Sequence, residues 1–312
     1  MKFFVTGGAG FIGSALTTLL ATSGHEVVVY DTFERGRRDW IAYPGVSSLD
    51  GDVRDRTRLI EAVKTSRPDH VVHLAALHFI PDCIARPAET LAINVEGTRN
   101  LFEACRTDSV KRIGFASSAA VYAPNPGACG EETAPLGPTD VYGESKLRGE
   151  ELARAHSEST GTPVALLRIF NAVGPRETNP HMIPHVLETL RGSDVLALGN
   201  VHPKRDYIDT RDLATGILAI ATEVRACEPF NLGTGVAASV SEIVALLSER
   251  LGRPLTIEVD PKRVRASDNP LLLADISKVR ARTGWSPRHE LGASMDELIS
   301  HYGIPRGPRA RA

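Results

Sequence analysis

The chain has 312 residues, of which 42% are hydrophobic and 24% are charged, as in ordinary folded globular proteins. This length suggests one main domain with a second lobe. The net charge of −2 argues against non-specific binding to nucleic acid, and no apolar run is long enough to span a bilayer. The four cysteines lie far apart without a CxxC pair, which argues against a metal or redox centre. We therefore expect a cytoplasmic protein that binds no metal ion, nucleic acid or membrane.

Residues 3–31 predict a strand, a tight glycine turn, a helix and a second strand. The glycines fit Gly8-x-Gly10-x-x-Gly13 or Gly7-x-x-Gly10-x-x-Gly13. Either spacing permits the turn, lets a diphosphate approach the backbone and places it at the N-terminus of the helix. The second strand ends in Asp31, 18 residues beyond Gly13, close to the position of a carboxylate that binds an adenosine ribose. The stretch therefore predicts a dinucleotide site.

The charge of Asp31 indicates which dinucleotide is bound. A carboxylate at the ribose repels the 2′-phosphate of NADP, so NAD is favoured. Arg35, Arg37 and Arg38 follow closely, and their positive charges leave NADP as an alternative.

Strand and helix patterns alternate through the first half of the chain with short connections. Further strands are predicted at residues 46–52, 70–74, 112–117 and 164–169, and helices from residue 55, after Pro87 and at 141–159. Continuous apolar strands that alternate with helices are typical of a doubly wound parallel sheet. Beyond Asn171 the predicted elements become less regular, with helices at 183–190, 213–222, 239–251, 276–283 and 293–301 and strands at 196–198 and 230–232.

This order of elements predicts an α/β fold, in which a Rossmann-type doubly wound parallel sheet carries a smaller, mixed α/β C-terminal substrate lobe. The NAD-binding domain is expected at residues 1–172, with 207–233 returning to it. Residues 173–206 and 234–302 are expected to form the substrate lobe, and 303–312 a disordered basic tail.

A candidate catalytic set follows the fifth strand. Tyr142 and Lys146 lie four residues apart in a predicted helix and therefore share a face. A phenol titrates near about pH 10, but an ammonium group and a cationic nicotinamide ring favour the phenolate and make it a usable base near neutral pH. Ser118 ends a strand at the carboxyl edge of the sheet, where its hydroxyl can bond the same substrate oxygen. The alternative is an accidental surface pair of tyrosine and lysine.

Together these segments resemble the extended short-chain dehydrogenases/reductases that act on nucleotide sugars, a family of NAD-dependent epimerases and dehydratases. The resemblance runs from residue 2 to about residue 302. It rests on residues 6–13, 51–53, 73–76, 94–98, 117–122, 142–146, 167–171, 205–208 and 231–235. Each segment is short, but their order and spacing are specific.

The resemblance implies a role for each matching residue. Tyr142 would be the base, Ser118 its partner and Lys146 a ligand of the nicotinamide ribose. The implied cofactor-binding residues are Gly7, Gly10, Phe11, Ile12, Gly13, Asp31, Asp52, Val53, Leu74, Ala75, Ala76, His78, Asn94, Ser117, Tyr142, Lys146 and Phe170. The implied substrate-binding residues are Ser118, Asn171, Met182, Leu198, Arg205, Arg265 and Asp268. For Asn94, a purely structural role of the amide is an equal alternative. For Arg205 and Arg265, the alternative is that the side chains are solvated at the surface.

Departures from the family pattern narrow the implied activity. Dehydratases of the family carry Thr-Asp-Glu where this chain has Ser118-Ala119-Ala120, so the acid and base for eliminating water are missing. Position 78 is often lysine in the epimerases and is histidine here. The resemblance thus implies an NAD-dependent 4-epimerase of a nucleotide-diphosphate hexose or uronate, which acts as a homodimer through the helices after Pro87 and from Val141.

Two alternatives to the epimerase stay open. Residues 264–272 look more like those of enzymes of GDP-sugar metabolism, which favours an NDP-4-keto-6-deoxysugar reductase and leaves the nucleotide base undecided. A non-catalytic NAD-sensing regulator on the same fold is the third hypothesis.

Overall fold

The computed structural model describes residues 1–264 and 269–308. Within these ranges the strands are β1 (Lys2–Thr6), β2 (Glu26–Asp31), β3 (Val46–Asp50), β4 (His70–His73), β5 (Arg112–Ser118), β6 (Val164–Ile169), β7 (Asn171–Val173), β8 (Val195–Leu198), β9 (Lys204–Asp209), β10 (Glu228–Leu232), β11 (Ala237–Ser239), β12 (Thr256–Val259) and β13 (Leu271–Leu272). The α-helices are α1 (Phe11–Thr22), α2 (Arg56–Ser66), α3 (Ile80–Ala85), α4 (Pro87–Leu91), α5 (Gly97–Ala104), α6 (Val141–Thr160), α7 (Met182–Thr189), α8 (Thr210–Glu223), α9 (Val240–Leu251), α10 (Ser277–Thr283) and α11 (Leu291–His301).

Seven parallel strands form the main sheet, in the spatial order β3-β2-β1-β4-β5-β6-β10. Successive side chains of a strand point to opposite faces, and the apolar runs supply both. On β1, Phe3 and Val5 belong to the core beneath α1 and α8, whereas Phe4 belongs to the core beneath α2 and α5. The predicted fold class is therefore confirmed. No helix in the described ranges is both long and apolar enough to cross a membrane.

The second lobe is built from short strands that come from distant parts of the chain. In one small sheet β9 lies between β11 and β13 and also pairs with β7, while β8 and β12 form a separate pair. A third apolar cluster joins α7, α9 and α11. Helix α9 begins with a capping box in which Ser239 and Glu242 each accept a backbone N–H of the other.

Three features differ from the sequence expectations. The helix expected after Pro87 is preceded by α3 and contains a π-helical turn at Ala92–Glu96, between α4 and α5. Strand β9, which lacks a long apolar run, places Tyr207 in the small sheet, and the chain rejoins the main sheet with β10. Residues 303–308 pack against the lobe: Ile304 is buried, and Arg306 pairs with Asp296 at 2.7 Å.

Candidate active site

A deep cleft lies at the carboxyl edge of the main sheet and is closed on its far side by the second lobe. Its volume is about 1080 Å³. The ends of β1, β2, β4, β5 and β6 contribute one wall, and residues around α7 and β9 contribute the other. In a doubly wound sheet this edge, where the strand order reverses, is where ligands bind.

The glycine turn between β1 and α1 leaves room for a ligand. Gly7 has φ +69°, and a Cβ there would lie 2.7 Å from the Ala75 nitrogen; at Gly13 it would lie 2.0 Å from the Gly7 oxygen. These two glycines are therefore required by the protein's own packing. At Gly10, which lines the cleft, the nearest protein atom would be 3.4 Å away, so the space above it is open toward the cleft. Gly7, Gly10 and Gly13 line the cleft. The spacing Gly7-x-x-Gly10-x-x-Gly13 is therefore the one whose glycines face the ligand space.

The carboxylate of Asp31 is held rigidly at the end of β2. Its oxygens accept hydrogen bonds from the backbone N–H groups of Ala9 (3.0 Å) and Phe33 (2.9 Å), and the residue lines the cleft. Of the three neighbouring arginines, Arg37 pairs with Asp39 and Arg38 with Asp50. The arrangement fits a diphosphate on the glycine turn and a ribose at Asp31, and thus an NAD molecule.

Tyr142, Lys146 and Ser118 meet in the cleft as the sequence predicts. Helix α6 begins where the Asp140 carboxylate accepts the Gly143 N–H at 2.8 Å, which places Tyr142 in the first turn. The Lys146 ammonium donates to the Ala116 carbonyl (2.8 Å) and lies 5.9 Å from the centre of the Tyr142 ring. Ser118, at the end of β5, lines the cleft beside Tyr142, and its hydroxyl favours the phenolate.

Lys146 by itself does not make Tyr142 a base in the chain without a ligand, and the sequence predicts that the ammonium acts together with a cationic nicotinamide ring. Burial raises the pKa of Tyr142 to about 12, and the Ser118 hydroxyl offsets only part of this effect. Burial also lowers the pKa of Lys146 to about 8. In the chain without a ligand, desolvation therefore outweighs the attraction between ammonium and phenolate. A further positive charge beside the phenol is needed to make it a base near neutral pH.

With one exception, each predicted cofactor residue in the described part of the chain lines the cleft. The exception is Asn94, in the π-helical turn, whose amide exchanges hydrogen bonds with the Leu77 backbone (2.8 and 2.9 Å) and donates to the Ser145 hydroxyl (2.9 Å). It therefore supports a wall of the cleft from behind. Of the predicted substrate residues, Ser118, Asn171, Met182, Leu198 and Arg205 line the cleft, while Arg265 and Asp268 lie outside the described residues.

A buried polar network behind the cleft was not anticipated from the sequence. The Glu150 carboxylate accepts hydrogen bonds from Nε and Nη2 of Arg168 (2.9 and 2.8 Å) and from the Ser117 hydroxyl (2.6 Å). Arg168 also donates to the Tyr122 hydroxyl at 3.1 Å. The sequence offered one indication of this network: Tyr142, Lys146 and Glu150 are spaced four residues apart and therefore share one face of α6.

Comparison with known proteins shows the family of this chain. Residues 3–233 match the model of the NAD dependent epimerase/dehydratase family. The UDP-glucose 4-epimerase of Corynebacterium glutamicum is 33% identical over 307 residues, which cover 93% of this chain and 92% of that protein.

Solved structures of similar proteins share the whole fold. The structure of UDP-glucose 4-epimerase with UDP-glucose from Thermotoga maritima has a TM-score of 0.89 at 26% identity and covers 97% of this chain and 99% of its own. The Thermus thermophilus UDP-glucose 4-epimerase complex with NAD has a TM-score of 0.86 at 29% identity, with coverage of 97% and 99%. The predicted cofactor, NAD, is confirmed by these similarities, and the chain belongs to the NAD-dependent epimerase/dehydratase family.

Proposed function

We propose that this protein is an NAD-dependent nucleotide-sugar 4-epimerase, which inverts C4 of a nucleotide-diphosphate hexose or uronate through a transient 4-keto sugar. The observation that carries the proposal is the cleft in which Ser118, Tyr142 and Lys146 meet beside the glycine turn, with alanine at positions 119 and 120. The carboxyl side chains that a dehydratase would need are absent from those two positions, so elimination of water has no general acid there.

Each catalytic side chain has a distinct task in this reaction. Ser118 hydrogen-bonds the substrate hydroxyl at C4 and the phenol of Tyr142, which aligns the two oxygens. Tyr142 takes the hydroxyl proton as the carbonyl forms and returns it after inversion. Lys146, fixed by the Ala116 carbonyl, stabilises the phenolate. Bound NAD would supply the acceptor and donor for the hydride of C4, and its cationic nicotinamide ring would supply the further positive charge that Tyr142 needs.

The second lobe supports recognition of a nucleotide diphosphate. Arg205 lines the cleft from β9, and its Nη1 donates to the Asn269 carbonyl at 2.6 Å, which fixes the guanidinium at the wall. A guanidinium fork suits the oxygens of a diphosphate. The Thermotoga maritima relative was solved with UDP-glucose, which favours UDP as the nucleotide. Holding the nucleotide firmly and the sugar loosely would allow the 4-keto sugar to turn its other face to the same catalytic groups.

We also propose that the protein acts as a homodimer, through the helical segment from α4 to α5 and through α6. Leu147 and Leu152 of α6 are partly buried and pack against the two cores of the single chain, so the proposal rests on the family resemblance of these helices. Sedimentation at micromolar concentration should show a dimer, and a monomer would contradict this proposal.

The test of the activity is incubation of the purified protein with a panel of UDP- and GDP-linked hexoses and uronates, followed by separation of C4 epimers. We expect one pair to interconvert without net consumption of NAD or NADH. Oxidation of added NADPH by a 4-keto-6-deoxysugar would instead support the reductase, against which the carboxylate of Asp31 weighs. If a Tyr142→Phe chain kept its role in the cell, the regulator would be favoured.

A further inference from the structure

Three side chains with metal-binding atoms meet on the wall of the cleft. They are His78, Glu177 and His181, and one ligand atom from each lies within 4.8 Å of the other two. His78 follows β4 on the side of the main sheet, whereas Glu177 and His181 precede α7 in the second lobe. Because the cluster joins distant segments, the sequence spacing of possible ligands did not reveal it.

Neighbouring groups fix the orientation of both imidazole rings. The His78 ring lies near the backbone of Ala76, which favours a proton on the ring, and His78 Nε2 faces the Asn179 side-chain nitrogen at 3.0 Å. A neutral imidazole has one donor and one acceptor nitrogen, so Nε2 carries the lone pair. A backbone carbonyl that holds the opposite nitrogen is the usual second contact of a metal-binding histidine.

The second imidazole is oriented by aromatic contacts and by the carboxylate. The ring of His181 stacks on that of His78, with centroids 6.0 Å apart, and meets the edge of Phe79 at 5.1 Å. Its Nε2 lies 3.9 Å from Glu177 Oε2. The three ligand atoms therefore lie within 4.8 Å of one another, between segments of the two lobes.

We propose that His78, Glu177 and His181 bind one divalent metal ion of the zinc class. Two imidazoles and one carboxylate form a ligand set that Zn²⁺ and Co²⁺ accept readily, with a fourth position left open. Tetrahedral bonds of about 2.1 Å place ligand atoms about 3.4 Å apart, so side-chain shifts on the order of 1 Å complete the site. In the metal-bound state the Asn179 amide gives up its hydrogen bond to His78.

The surroundings fit one added cation and suggest its remaining ligand. Arg35 acts electrostatically on His78 and Glu177, but its guanidinium lies 3.4 Å from the Asp82 carboxylate, which offsets its repulsion of a second positive charge. The cluster borders the cleft, so the open position takes water or a diphosphate oxygen. A bound ion would tie the segment after β4 to the segment before α7.

The experiment measures metal binding directly. Tag-free protein with its bound NAD is treated with a chelator, dialysed against Co²⁺ and assayed by elemental analysis and by the visible spectrum of tetrahedral Co²⁺. We expect one ion per chain. His78→Ala, His181→Ala and Glu177→Gln should each weaken binding by more than about tenfold, since even loss of a supporting contact has that effect.

His185→Ala is the matched control. His185 also lines the cleft, but its Nε2 lies 3.0 Å from an Arg263 nitrogen and it is outside the cluster. This variant should keep the ion. Binding of less than one Co²⁺ per wild-type chain at micromolar free ion would overturn the proposal, as would full binding by His78→Ala and His181→Ala chains that retain NAD. Because the readout is metal content, either result leaves the epimerase proposal untouched.

Discussion

Lys146 and Glu150 are buried one turn apart on the same face of α6, yet their charges have different surroundings. Glu150 forms an ion pair with the buried Arg168 at 2.8 Å. Lys146, at the cleft end of the helix, has no carboxylate partner in the described part of the chain and donates only to the Ala116 carbonyl. Burial accordingly lowers the pKa of Lys146, whereas for Arg168 the effect of Glu150 outweighs burial and raises the pKa. The unpaired charge is available to a ligand, and the paired charge fixes the helix to the sheet.

The largest effect is expected at the cleft end. Tyr142→Phe removes the proton acceptor and leaves the ring, so epimerisation should fall about 10²- to 10⁴-fold while bound NAD and the melting temperature change little. Initial rates and the NAD released on denaturation measure both properties. Tyr43→Phe, outside the cleft, is the control and should retain full activity. A Tyr142→Phe enzyme with most of its turnover would show that another group is the base.

At the core end, Glu150→Gln should affect stability instead. The substitution leaves the Arg168 guanidinium buried beside a neutral amide, and breaking a buried pair in this way costs about 3–5 kcal/mol. Urea denaturation at pH 7 measures the loss. The exposed neighbour Glu151→Gln should change the free energy of unfolding by less than about 0.5 kcal/mol. Equal stability of the two variants would contradict the structural role of Glu150.

Removing the charge of Lys146 should instead increase the free energy of unfolding. The pKa of Lys146 falls from 10.5 to about 8 on folding, so the unfolded chain binds more protons between these pH values and wild-type stability rises with pH across that window. At about 1.4 kcal/mol per tenfold change in proton affinity, NAD-free Lys146→Met should be more stable than wild type by about 3 kcal/mol below pH 8.

This stability difference should shrink to near zero by about pH 10.5, the pKa of an exposed lysine. Urea denaturation of both NAD-free proteins from pH 7 to 10 measures it. The exposed Lys64→Met serves as the control and should show no such trend. A Lys146→Met protein less stable than wild type at pH 7 would mean that the ammonium is not an uncompensated charge.

Asp31 adds a negative charge to this comparison. It faces the cleft, and within the described residues its side chain is held by the backbone N–H groups of Ala9 and Phe33 alone. Asp31→Asn keeps the size and removes the charge. We expect the preference for NAD over NADP, measured as the ratio of dissociation constants, to fall by about tenfold, which corresponds to about 1.4 kcal/mol. Asp39→Asn, at the surface beside Arg37, should leave the ratio unchanged. An unchanged ratio in Asp31→Asn would assign the preference to other residues.

The main sheet and its half of the site could be predicted because local patterns determine them. The apolar run of β1, the glycines before α1 and the Tyr142–Lys146 spacing each lie within a few residues, and the parallel topology brings their ends to one edge. The family resemblance added residues such as Phe170 and Met182, which show no signal of their own. The second lobe was harder to predict, because β9 pairs with two- and three-residue strands from three distant segments.

Burial and long-range pairing decide the features that the sequence did not reveal. The pKa of Tyr142 depends on how deeply the assembled cleft desolvates the phenol, which no spacing encodes. The partnership of Glu150 with Arg168 requires α6 to lie against β6. The position of Asn94 in the sequence is compatible both with a cofactor contact and with a structural amide. Its hydrogen bonds to Leu77 and Ser145 show the structural role.

The central claim, that the cleft end of α6 catalyses oxidation and reduction at C4 of one sugar, can be tested with deuterium at that carbon. A UDP-hexose labelled at C4, beginning with UDP-glucose, is incubated with the enzyme, and the C4 epimer is examined by mass spectrometry and NMR. If C4 loses and regains the same hydride, the epimer keeps its deuterium at C4, and the Tyr142→Phe enzyme forms almost none of it. An epimer that has lost the label to solvent, or the failure of every UDP- and GDP-linked sugar of the panel to form a C4 epimer, would contradict the account.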